Sequence, residues 1–526
     1  MHIMTGQFIA LRQLTGLFAA LALGACSVLQ GPEQAPPEVS FAQPAAAEVI
    51  TVGLDNIQDK YIEPVALRRI GIEGLRGLGA IDAGISIAEE NGSLVMFEYG
   101  NEIGRMRIPP ESDVRAWGAA LVALTEKARE NSNEISAAPA EKIYEAIFDG
   151  ALSNLDIFSR YAGMKEATIN RSRRDGFGGI GIRFRIEDDI VVVTKVLQGT
   201  PAADSGMRPG DQIVKVEGHE TTGMKSADVT RLIRGPVHTQ VTLTLSRPEA
   251  VQPFTIAVAR SHIVPETVHW SVENGIGIFR ISSFNQDTAN SLEKALQRAL
   301  APDAAPLAGV IIDLRGNPGG LLRQSVDVAD MVLTQGDILR TSGRHPDSLH
   351  HYRASGRDIA QGRPLVVVID GKSASAAEIV AAALQDRDRA VVIGTSSYGK
   401  GSVQTVIRLP NDGEITLTWS KFVAPSGYYL HGLGVVPTIC TSGEHNMENV
   451  AGILERAFEG EMAAKTVSWR RRALLDDTDR QSLRDACPAE KRSGPLDLEI
   501  AKRLILNDRM HARALRMTTA TAQATN

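Results

Sequence analysis

The stretch from Leu365 to Gln404, LVVVIDGKSASAAEIVAAALQDRDRAVVIGTSSYGKGSVQ, constrains the chain most. Leu365 to Ile369 is a compact apolar run of strand length and reads as a buried strand. Asp370-Gly371 ends it in a turn. Ser373 to Ala377 then opens an Ala-rich segment, reaching about Gln385, that predicts a buried helix. Ala390 to Ile393 is a second strand, and Gly394 to Gly401 is a glycine-rich loop carrying Lys400. A serine where a strand turns into a helix exposes its hydroxyl while the first helical N–H groups point at an incoming oxyanion. With a lysine one strand away, the arrangement suits nucleophilic chemistry.

A P-loop competes for the same residues, since Gly394 to Lys400 fits G-x-x-x-x-G-K and follows a strand. Gly401 stands where the metal-binding Ser or Thr belongs. Val403 to Leu409 is β-branched and strand-like, so no helix N-terminus follows to hold a phosphate. The strand Gly309 to Leu314, which would carry a magnesium-site aspartate, also precedes the loop. Nucleotide hydrolysis is therefore the lesser reading.

Serine is a poor nucleophile until a base takes its proton. Lysine is that base only when neutral, which requires its pKa to fall from about 10.4, as desolvation can cause. Gln404 is placed to hydrogen-bond such an amine. Taken alone, Ser373 reads as a small turn residue, Glu378 as a helix-face charge and Tyr398 as packing.

Ser373-Ala374-Ser375-Ala376-Ala377-Glu378, then Tyr398-Gly399-Lys400-Gly401 and Gln404, resemble the paired signatures of the C-terminal processing peptidases, also called tail-specific proteases. The resemblance implies Ser375 as nucleophile, Lys400 as base and Gln404 as its partner. Ala377 stands where the family has a third serine. Arg315-Gly316-Asn317-Pro318-Gly319-Gly320 is similar to the family's R-x-N-P-G-G loop. It implies oxyanion donors at Gly319 or Gly320 and at Ala376. Phe148 to Tyr161 resembles the segment that precedes the family's PDZ domain, and Leu430 to Pro437 its closing signature, with Thr438 in place of Asp.

Gly176 to Gly181 spells G-x-G-x-x-G but opens no helix, so it is not a dinucleotide fingerprint. It resembles a PDZ domain together with Thr200-Pro201-Ala202-Ala203, Gly206, Arg208 to Ile213, a helix over 227–233 and a closing strand over 241–245. That likeness implies a carboxylate loop at Gly179, Ile180, Gly181 and Ile182, with Arg234 beside the peptide pocket.

The fold class expected is α/β multidomain: a helical N-terminal domain over 48–174 with a small β insertion, a PDZ domain over 175–260, a crotonase-like α/β protease core over 261–440, and a helical C-terminal region over 441–526. With 526 residues, several domains are expected. A formal charge of −6 gives no reason to expect nucleic acid. The His345 to His351 cluster lacks matching carboxylates, so no metal site is expected there, and no cofactor is implied. Residues 1–26 read as a signal peptide, the apolar run Leu14 to Ala25 being too short to span a bilayer comfortably. Leu23-Gly24-Ala25-Cys26 looks like a lipoprotein box, implying lipidation at Cys26 and, with Ser27 next, outer-membrane sorting on the periplasmic side. Residues 27–47 read as a flexible tether. Three cysteines form no disulfide framework, although Cys440 and Cys487 could pair in an oxidising periplasm.

The reading is a lipid-anchored serine endopeptidase acting on proteins with free C-termini, with self-association or an adaptor protein left open. A PDZ scaffold with an inactive core is the alternative from another class.

Overall fold

The computed structural model describes residues 41–459 and 477–519. Cys26 and the apolar run before it lie outside the described residues. The expected tether ends sooner than predicted. Phe41 is buried against Tyr144, and helix Gln43–Lys60 begins with Pro44 in its first turn, where a missing N–H costs no hydrogen bond.

Helices Gln43–Lys60, Leu67–Gly77, Val114–Asn131 and Ala140–Leu152 enclose one apolar core around Trp117 and Phe148. The alternating stretch is a three-stranded antiparallel meander, Ile85–Glu90, Ser93–Glu98 and Asn101–Arg107, packed beside those helices. The same core takes in Leu409, Ile415 and Leu417. This helical unit is thus seated on the hairpin that follows the Lys400 loop.

Helix Met164–Arg174 leads into the PDZ domain. Its sheet runs Phe254–Ala259, Gln240–Ser246, Gln212–Val216, Ile190–Val196, Ile182–Glu187. The sequence places the last strand at 241–245. The chain adds Phe254–Ala259 beyond it, as the edge opposite Ile182–Glu187.

Two sheets make the α/β core. In the first, Val268–Glu273 pairs antiparallel with Ile276–Ile281. Strands Gly309–Asp313, Leu365–Ile369, Val391–Gly394 and Ile439–Cys440 then follow in parallel. Strands buried on both faces read as unbroken apolar runs, and all five residues of Leu365–Ile369 are buried. Helices Thr288–Ala299, Leu322–Asp330 and Ala376–Asp386 cover one face. The second sheet, His351–Arg353, Asp337–Gly343, Glu414–Val423 and Ser402–Arg408, takes Arg160–Ala162 as an added strand on Glu414–Val423. The histidine-rich segment from Arg344 to Tyr352 is mostly exposed and joins strand Asp337–Gly343 to strand His351–Arg353. Among the described residues no histidine, cysteine, aspartate and glutamate cluster could hold a metal ion.

The C-terminal region is not a peripheral tail. Helices Val450–Glu459 and Leu496–Ile505 bury Ile453, Leu454, Ile500 and Leu504 against the other face of the parallel sheet. Cys487, just after helix Asp477–Ala486, is disulfide-bonded to Cys440 at the end of the edge strand.

Candidate active site

Ser375 is the N-cap of helix Ala376–Asp386, with φ 53° and ψ −112°. A non-glycine residue there is uncommon and strained, and such outliers cluster at functional sites. The preceding turn is over-determined. Asp370 is fully buried, and its Oδ1 accepts from Gly316 N at 2.9 Å, Lys372 N at 3.0 Å and Ser373 N at 3.1 Å. Ser373, read from sequence as a plain turn residue, is fully buried and donates its hydroxyl to Leu314 O at 2.9 Å.

The residue that sequence reasoning most misjudged is Glu378. It is no helix-face charge but fully buried. Its Oε2 accepts from Ser375 N at 2.7 Å and from Lys400 N at 2.9 Å. Its Oε1 accepts from Gly399 N at 2.7 Å and from the Ser397 hydroxyl. Burial pushes the Glu378 carboxyl above its ordinary value, and these four donors oppose that. One carboxylate therefore ties the Ser375 turn to the Lys400 loop. Ser375 followed three residues later by Glu378 is the spacing of a helix capping box, and that signal was available in the sequence. Tyr398, read as packing, is 50% exposed.

Ser375, Lys400, Gln404, Gly319 and Gly320 line one cleft of about 400 Å³. Lys400 is half-buried, and its Nζ lies 4.9 Å from the centre of the Phe158 ring. Its pKa falls below the ordinary lysine value, chiefly through desolvation and then through Arg160, against the opposing charges of Glu378 and Asp156. No hydrogen bond joins Nζ to Ser375 Oγ in this arrangement. Catalytic hydrogen bonds often tighten only once substrate binds. Gln404 does not hold the amine. Its Nε2 donates to Ser402 Oγ at 2.9 Å and Thr418 Oγ1 at 3.3 Å.

The Gly319 N–H donates to Asn317 Oδ1 at 2.8 Å and so is already engaged. Gly319 has φ 101°, and a Cβ there would stand 2.9 Å from Ser375 Cβ and 3.1 Å from Ala376 N. Only glycine allows this approach. Among the described residues the N–H groups of Gly320 and Ala376 have no acceptor. Of the two glycines, Gly320 is thus the one whose N–H is unengaged among the described residues. Phe158 reaches Lys400 and Arg160 reaches the cleft because Asp156, Ser159 and Tyr161 pin their segment. Asp156 accepts from Ser159 Oγ and Thr418 Oγ1, Ser159 Oγ accepts from Thr418 N, and Tyr161 OH donates to Glu141.

The segments on either side of Cys487 back the site. Glu490 O accepts from Gly371 N and Thr395 Oγ1, Arg492 N donates to Asp370 Oδ2, and Arg484 donates to the carbonyls of Ser397 and Leu433. Arg315 is buried between Asp313 and Asp497.

In the PDZ domain, Gly179 to Ile182 and Ile233 line a groove of about 330 Å³ with Arg234. The Arg234 guanidinium stacks 3.6 Å from the Phe177 ring centre. Strand Ile182–Glu187 is a free edge of its sheet.

A PDZ module ahead of an α/β core that presents a helix-capping serine defines a multidomain serine-type peptidase. The chain matches the profile of peptidase family S41 over residues 275–441 and that of a PDZ domain over residues 192–247. It is 38% identical over 303 residues to a carboxy-terminal-processing protease of Bartonella bacilliformis, spanning 57% of this chain and 69% of that one. A probable CtpA-like serine protease of Staphylococcus aureus is 30% identical over 314 residues, spanning 59% and 62%. The solved structure of a photosystem II D1 C-terminal processing protease is 22% identical, with TM-score 0.36, covering 74% of this chain and 92% of that one. The chain belongs to peptidase family S41, among the carboxy-terminal-processing proteases.

Proposed function

We propose that this peptidase cuts protein substrates near their C-termini, with Ser375 as nucleophile and neutral Lys400 as general base. The observation that carries this reading is the shared tether. A strained serine and a desolvated lysine line one cleft, and their backbones meet on the same oxygen of Glu378. Lys400 takes the Ser375 hydroxyl proton as Oγ attacks the scissile carbonyl. The developing oxyanion is met by the N–H groups of Ala376 and Gly320. The ammonium then returns its proton to the leaving amine, and water admitted to the acyl-enzyme completes hydrolysis. Gln404 shapes the wall of the cleft. The PDZ edge strand takes the substrate's C-terminal residues as an added strand, with the terminal carboxylate in the Gly179 to Ile182 loop. Lipid on Cys26 holds the enzyme on the periplasmic side of the envelope, probed by fractionation of a Cys26→Ser variant.

Loss of peptidase activity and of fluorophosphonate labelling in Ser375→Ala, and of activity in Lys400→Ala, with unchanged far-UV circular dichroism, is the expected result. Full turnover by Ser375→Ala would overturn the reading. It would favour the scaffold alternative if the parent protein also fails to cut any substrate. A phosphate site in the Lys400 loop has no support, because strand Ser402–Arg408 follows it.

A further inference from the structure

The cleft that holds Ser375 is also lined by Arg160, Arg173 and Arg174, with Glu414 as the carboxylate among its lining residues. Three arginines in the last turn of helix Met164–Arg174 suit the negative end of a helix dipole, and two of them are accounted for within the fold. Arg171 and Arg174 both pair with the buried Glu414, at 3.1 and 3.2 Å, and Arg174 also pairs with Asp175. Arg173 differs. It is exposed and makes no hydrogen bond or ion pair among the described residues. Arg160, from the added strand of the second sheet, is also exposed, and the one side-chain hydrogen bond it makes among the described residues is to Phe158 O at 3.3 Å. The nearby Asp156 cannot serve it well, because that carboxylate is taken up by Phe158 N, Ser159 and Thr418. Two guanidinium groups without carboxylate partners therefore face the substrate cleft from two different elements. Guanidinium forks match carboxylates in geometry.

We propose that Arg173, with Arg160, forms a carboxylate-binding subsite that selects substrates carrying an acidic side chain close to the scissile bond. This rests on Ser375 being the nucleophile. It adds a charge preference in the cleft itself, separate from the PDZ groove.

The test uses the full-length protein and a peptide cut at one bond, with Glu or Gln scanned through the three residues on either side. At one position Glu should exceed Gln in kcat/KM by about tenfold, the scale of a hydrogen bond between charged groups. That ratio should shrink as salt is raised. It should fall toward one in Arg173→Gln and below one, in favour of Gln, in Arg173→Glu, a reversal that mere misfolding would not produce. A ratio of one at every position, or a ratio that Arg173→Gln and Arg173→Glu leave unchanged, overturns the proposal. So does an Arg173-dependent loss caused only by amidating the peptide terminus, which would assign the subsite to the terminal carboxylate. In each case Ser375→Ala must be inactive. If it is not, the failure lies with the nucleophile assignment and not with this subsite.

Discussion

Glu378→Gln tests the tether most directly. Three of the four donors on this carboxylate are backbone N–H groups that cannot turn round. A carboxamide offers one acceptor oxygen, so its NH2 must confront at least one fixed N–H. An orphaned buried donor costs about 1–3 kcal/mol, and each remaining bond weakens by about 1 kcal/mol once its acceptor is neutral. The relief of no longer burying a charge offsets part of this, leaving about 2–3 kcal/mol. If that falls on the alignment of the two loops in the acylation step, kcat/KM drops about 30- to 150-fold. The pH profile separates this from simple damage. In the proposed mechanism Lys400 acts when neutral, so activity rises as pH climbs through its pKa. Glu378 raises that pKa, so neutralising it shifts the rising limb to lower pH even as the plateau falls. Both quantities come from initial rates on a quenched peptide and from fluorophosphonate labelling across pH. A limb that stays in place or moves upward, with kcat/KM within threefold of the parent, would refute the reasoning.

Arg160→Gln should move the same limb the other way, to higher pH, because Arg160 lowers the Lys400 pKa; an unmoved limb in the pH–rate profile counts against it. Replacing Cys440 and Cys487 together by Ser removes a cross-link over 47 residues. It should cost about 2–4 kcal/mol of stability, read as faster proteolytic nicking between residues 441 and 495. In Ser375→Ala protein, amidating a PDZ-bound peptide should weaken binding by about 10- to 100-fold, measured by fluorescence polarisation, and equal affinities would mean that the groove does not hold the carboxylate.

The strands and turns of the core were legible because their signals are local. Leu365 to Ile369 and Ala390 to Ile393 are continuous apolar runs, and Asp370-Gly371 sits where the first of them ends. Family signatures then pointed to Ser375 and Lys400. Glu378 escaped because every residue of its helix from Ala376 to Gln385 is buried. A helix with no wet face gives no periodicity by which to tell an inward charge from an outward one. The acceptors of Gln404 were hidden for a different reason, since Thr418 lies across a hairpin whose register shifts at Val403 and Gln404. Arg160–Ala162 pairs with Glu414–Val423 from the far side of the PDZ domain in sequence, which no local pattern records. The backing of the site was equally remote. Asp370 meets Arg492, and Arg315 meets Asp497, between segments that share no motif.

That backing has a consequence for synthesis. Gly371, Thr395 and Asp370 are closed off by residues that leave the ribosome after the entire nucleophile and base loops have been made. Until Cys487 to Asp497 arrives, the turn before Ser375 and the loop before Lys400 keep open hydrogen-bonding groups toward water and have no wall behind them. A chain cut short before Cys487 would therefore carry both loops without the partners that close them.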